Sequence, residues 1–101
     1  MVRFFALALT CLAAFAQEPE PLSDTAVVYR DLEYANTPRG PMRLNLYSPR
    51  KIDGPLPAIV VIQGGGFRAQ SVDRFAPESQ HFAEQGFIAA SIRYRGTPDD
   101  Q

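Results

Sequence analysis

Ala58-Ile59-Val60-Val61-Ile62 is an unbroken apolar run that ends in Gln63 and then in Gly64-Gly65-Gly66. No other stretch limits the fold so tightly. Four of the five apolar residues are β-branched, which favours a strand, and the lack of polar alternation is that of a strand buried on both faces of a parallel sheet. Pro57 stands at its start, where a missing N–H does least harm. The glycines then fall at the strand's carboxyl end, the end at which open α/β sheets bind ligands. Three residues without side chains there leave their N–H groups bare and open backbone angles closed to others. Such a stretch serves either as a sharp turn or as a set of donors for an oxygen that gains negative charge.

The surroundings of that strand read as follows. Met1-Val2-Arg3, the apolar Phe4 to Ala13 and the small-x-small Ala14-Phe15-Ala16 have the pattern of a secretory signal over residues 1–16. The segment is shorter than the about 20 residues a membrane span requires. Cleavage before Gln17 would remove the one cysteine, Cys11, and leave a secreted or periplasmic protein with no stable membrane anchor and no disulfide to hold it. Lipid attachment at Cys11 is disfavoured by the bulky Thr10 before it. Gln17 to Thr25 is polar and Pro-rich, expected as a linker without core residues. Ten Lys and Arg against eleven Asp and Glu give a formal charge of −1, with no basic footprint for nucleic acid.

From residue 26 to 101 the chain reads as one α/β unit. Ala26–Tyr34 is predicted to be a first strand, and Met42–Tyr47 a second, with Met42, Leu44 and Leu46 on one side and Arg43, Asn45 and Tyr47 on the other. The turn signals between them (Asn36, Pro38, Gly40, Pro41) make the two an antiparallel pair. A helix is predicted to start near Pro77, with Glu78 in its first turn, Phe82 and Ala83 facing the sheet and Gly86 as its stop. Phe87–Tyr94 is then a second apolar strand. Strand, helix and strand in this order imply a crossover joining parallel neighbours.

With these pieces in order, the chain resembles the N-terminal part of an α/β-hydrolase. More narrowly, it is similar to the esterases and lipases whose third strand ends in His-Gly-Gly-Gly and an aromatic residue. Gln63-Gly64-Gly65-Gly66-Phe67, Leu44-Asn45-Leu46-Tyr47-Ser48-Pro49 and Gln85-Gly86-Phe87-Ile88-Ala89-Ala90-Ser91-Ile92-Arg93-Tyr94-Arg95 carry the likeness, which extends from Val27 to Pro98. It implies an antiparallel first pair followed by parallel strand-helix-strand, and hydrolysis of carboxylic esters through a serine acyl-enzyme. It also implies an oxyanion hole made by the backbone N–H groups of Gly65 and Gly66, with Gly64 permitting the turn and Phe67 and Arg68 lining the substrate pocket. The substrate class would be small-molecule, carbohydrate or lipid esters, with no cofactor and no metal.

Two departures stand out. Gln63 replaces the family's histidine; its amide can donate and accept but cannot titrate. No Gly-x-Ser-x-Gly is present, and the one histidine, His81, lies within the predicted helix as a surface or packing residue. The chain by itself is therefore expected to be inactive, with an inactive secreted fragment or interaction domain as the competing reading. Gly64, Gly66 and Ala69 also satisfy Gly-x-Gly-x-x-Ala, a weak dinucleotide-binding pattern. It is disfavoured by the long loop before the helix and by Arg93 or Arg95 where a ribose-binding acid belongs. Finally, Phe87–Tyr94 is expected to present an unpaired apolar edge that limits solubility.

Overall fold

A computed structural model describes residues 18–66, 68 and 71–94. The signal segment, Cys11, Phe67, Ala69 and residues 95–101 lie outside the described residues. Five strands form one mixed sheet, β1 (Glu20–Pro21), β2 (Ala26–Thr37), β3 (Gly40–Pro49), β4 (Ala58–Val61) and β5 (Ile88–Ile92), with helix α1 (Ala76–Glu84) between the last two. The order across the sheet is β1-β2-β3-β5-β4. The first three strands and β5 pair antiparallel in turn, and β4 pairs parallel with β5. The antiparallel pair and the parallel crossover lie where the residue pattern places them.

Helix α1 shows how local chemistry fixes the elements. Pro77 occupies its first turn together with Glu78. Proline's missing N–H has no intrahelical role there, and a carboxylate favours the positive end of the helix dipole. At the other end Gly86 takes φ +97°, and its N–H reaches the Ala83 carbonyl at 3.1 Å, while the Phe87 N–H reaches the Phe82 carbonyl at 3.0 Å. That is a Schellman motif, and its usual apolar contact is made by the rings of Phe82 and Phe87, 6.1 Å apart edge to face. Ser79 and Ala83 are buried against the sheet. The core cluster is Ala26, Val28, Tyr47, Ala83 and Ala89, with Leu22, Val61, Ala76 and Phe82 packed around it.

A bulge in β2 ties this core to the loop after the glycines. Tyr29 pairs with Leu46 and Leu32 with Leu44, so Arg30 and Asp31 face the single residue Asn45. Asp31 takes φ +56°, and its N–H donates to Asn45 Oδ1 at 3.0 Å. Asn45 Nδ2 in turn donates to Asp73 Oδ1 at 3.2 Å. Arg30 reaches the same carboxylate at 3.4 Å and pairs with Glu20 at 2.7 Å, which holds the Glu20 carboxyl below its ordinary range.

Three expectations need correction, and the facing of β3, which the alternation left open, is now assigned. The Gln17–Thr25 stretch is not free of core residues: Glu20 and Pro21 pair with Val28 and Val27, and Leu22 packs on the core. A short two-residue strand carries no alternation to betray it. In β3 the helix side holds Asn45 and Tyr47, at 2% and 1% exposed, while Met42, Leu44 and Leu46 are only half-buried on the opposite face. That face has no helix over it among the described residues. The unpaired edge belongs to β4 and not to Phe87–Tyr94, because β5 inserts between β3 and β4. Nor is β4 buried on both faces: Ala58 and Val60 are exposed, and Ile59 and Val61 half-buried.

Candidate functional site

The glycines leave the sheet at the carboxyl end of β4, beside its parallel neighbour β5. Gln63 is buried, and its Nε2 donates to Ser91 Oγ at 3.4 Å. Ser91 Oγ donates to the Val72 carbonyl at 2.9 Å, so the strand end and the loop before α1 are joined through one buried hydroxyl. Gln63 Oε1 is buried with no hydrogen-bond partner. An amide thus stands where a histidine was expected, linked to the sheet by its donor side.

Each carbonyl from Gln63 to Gly65 is anchored. Tyr94 Oη donates to the Gln63 carbonyl at 2.6 Å, and lies 3.4 Å from that of Arg68. Arg74 Nη1 donates to the Gly64 carbonyl at 2.9 Å, and the Arg68 N–H to the Gly65 carbonyl at 3.2 Å. Among the described residues, the N–H groups of Gly65 and Gly66 donate to no carbonyl. Gly65 and Gly66 line a cavity of about 340 Å³ together with Ile62, Gln63, Gly64 and Tyr94. The left-handed residue of the loop is Gly66, at φ +62°. Gly64 is not left-handed, and a Cβ built on it meets nothing within 4 Å, so the conformation that demands glycine falls two residues later than expected.

Arg68 is exposed and reaches the loop through its backbone N–H; Phe67, the other expected pocket residue, lies outside the described residues. His81 is exposed on α1, and among the described residues it is bonded to no serine. Tyr47 Oη is buried without a partner, and burial pushes its pKa up, opposed by the nearby Arg30 guanidinium. Reading the residues singled out Gly65 and Gly66 but missed Ser91, Tyr94 and Arg74 as their supports. Those three bonds span 10 to 31 residues, and no local pattern announces them.

Sheet, crossover and glycine loop together define the opening third of an α/β-hydrolase of esterase type. The BD-FAE family model matches residues 44–101, and the chain belongs to that family. Esterase B from Lactobacillus rhamnosis superimposes with a TM-score of 0.64 at 24% identity, over 97% of this chain and 31% of that one. A tributyrin phosphonate-inhibited form of the same esterase gives a TM-score of 0.66 at 23% identity, with the same coverage of both chains. A bacterial heroin esterase gives 0.62 at 25% identity, over 99% of this chain and 30% of that one. The chain therefore spans about a third of the length of these enzymes. A comparison with curated proteins gives no match.

Proposed function

We propose that the protein is a carboxylic ester hydrolase working through a serine acyl-enzyme, with these residues supplying its oxyanion hole. The reading rests above all on Gly65 and Gly66, which border an open cavity at the strand end and whose N–H groups make no carbonyl bond among the described residues. Attack of a serine Oγ on an ester carbonyl carbon moves the π electrons onto oxygen. Two fixed N–H donors beside that oxygen stabilise the tetrahedral state, and one such donor is worth about 10²–10³ in rate. The nucleophile, its histidine and the acid come from sequence beyond these 101 residues in this proposal. The phosphonate carried by esterase B, a tetrahedral mimic of that state, supports small esters as substrates. Acyl groups on carbohydrates or lipids belong to the same class. Export follows from the signal pattern of residues 1–16, cleaved before Gln17.

The dinucleotide alternative loses its footing, because α1 begins at Ala76, ten residues past Gly66, and cannot aim its N-terminus at the glycine turn. An inactive secreted domain keeps one observation in its favour, the amide at Gln63. The gene product at its full encoded length, assayed with p-nitrophenyl acetate, separates the two. Turnover with an acyl-enzyme burst supports the hydrolase, and no turnover above background supports the inactive domain. Residues 17–101 alone are expected to give none.

A further inference from the structure

A glycine-rich loop is a poor place to fix a hydrogen-bond donor. Glycine takes either hand of φ at little cost, so each peptide plane can turn over unless something outside the loop holds it. In a planar trans peptide the carbonyl of one residue and the N–H of the next point in opposite directions. Anchoring a carbonyl therefore aims the following N–H. The Gly64 carbonyl is held by Arg74 Nη1 at 2.9 Å, which sets the direction of the Gly65 N–H. The Gly65 carbonyl is held by the Arg68 N–H at 3.2 Å, which does the same for Gly66. Tyr94 Oη, through the Gln63 carbonyl at 2.6 Å, governs only the Gly64 N–H.

We infer that Arg74 is a positioning residue for the oxyanion hole, aiming the Gly65 N–H by holding the carbonyl behind it; this rests on the ester-hydrolase reading. Its guanidinium also polarises that peptide, because a charged donor strengthens the hydrogen bond and leaves the opposite N–H more acidic. Arg74 is itself placed from two sides. Its own N–H bonds the Ser71 carbonyl at 3.2 Å, and its guanidinium lies 5.6 Å from the centre of the Phe75 ring. Asp73 beside it is tied to Asn45 and Arg30, so the β2 bulge reaches the glycine loop through this segment.

The test uses the gene product at its full encoded length, with p-nitrophenyl acetate as substrate. Removing an oxyanion donor outright costs about 10²–10³ in rate, and freeing its peptide plane costs part of that. Arg74→Ala is expected to lower kcat about tenfold, with KM changed by less than about twofold and Tm nearly unmoved, since Arg74 is exposed. Arg74→Lys, which can still hold the carbonyl, restores at least half of the lost kcat. Tyr94→Phe frees a plane that carries neither donor and lowers kcat less than Arg74→Ala. Phosphonate inactivation slows in parallel with kcat. An active wild type whose Arg74→Ala variant keeps its kcat, or loses only KM or Tm, overturns the positioning role and leaves the ester hydrolase standing. So does a Tyr94→Phe variant that loses more kcat than Arg74→Ala. A wild type with no turnover overturns both.

Discussion

Val60→Lys in residues 17–101 probes the edge that the fold leaves open. Val60 and Ile62 keep 59% and 63% of their surface in water, on and just after a strand whose outer side has no partner among the described residues. Full burial of such a side chain stabilises by about 1.5–3 kcal/mol, so the open three-fifths leave roughly 1–2 kcal/mol in each unrealised. Pairing with β4 of a second copy would cover the flanks of these side chains and capture part of that gain, and each added backbone bond contributes about 1 kcal/mol net. No charged residue lies between Ala58 and Ile62 to oppose it. Residues 17–101 are therefore expected to self-associate. Val60→Lys removes one side chain's gain and sets like charges against each other, raising the concentration of half-association about tenfold or more. Sedimentation velocity over a concentration series, with circular dichroism to confirm that both proteins fold, gives the comparison. A wild-type monomer throughout, with a sharp cooperative melt, would refute the reasoning. Association at the same concentration in both proteins would place the contact elsewhere.

Three further outcomes test the physical account. Gly66→Ala should cost about 1–2 kcal/mol from its φ of +62°, although a Cβ there meets nothing within 4 Å, while Gly64→Ala should cost far less; chemical denaturation compares them. Tyr47→Phe removes a buried hydroxyl that has no partner, so stability should hold or rise by up to about 1 kcal/mol; a loss of more than that would reveal a missed bond. Glu20 is depressed below 4.5 by its bond to Arg30, so its contribution is present above pH 4.5 and fades as pH falls through the lower folded value. The Tm difference between wild type and Glu20→Gln should thus shrink on acidification; a difference that grows there contradicts the pairing.

What the sequence disclosed follows the range of the interactions involved. Pro77, Glu78 and Gly86 act on their own helix ends, and α1 lies where they place it. The crossover is equally local in kind, since strand, helix and strand can join only a few ways. Facing and neighbour order are not local. The alternation of β3 divided its residues into two sides without saying which faces inward, and Asn45 takes the buried place, where its amide oxygen accepts from Asp31 in the bulge fourteen residues earlier. β4 read as interior because its composition suits a strand covered on both sides and both edges, and these residues cover only part of it.

The site divides in the same way, and the division explains how Gln63 can stand where a histidine was expected. The glycines are visible because their lack of side chains is itself the signal, whereas their supports arrive from β5 and the loop before α1. The Gln63 carbonyl is held by Tyr94, and the loop's next two carbonyls by Arg74 and Arg68, none of which depends on the side chain at position 63. That side chain needs only one buried donor toward Ser91, which an amide supplies at any pH. An imidazole in its place would titrate near neutrality and bring a charge into a buried position. Gln63→His should accordingly add an acid limb to the stability profile that the wild type lacks, read as a Tm falling below about pH 6.5. A Tm that stays parallel to the wild type down to pH 5 would mean that position 63 is less enclosed than its 2% exposure implies.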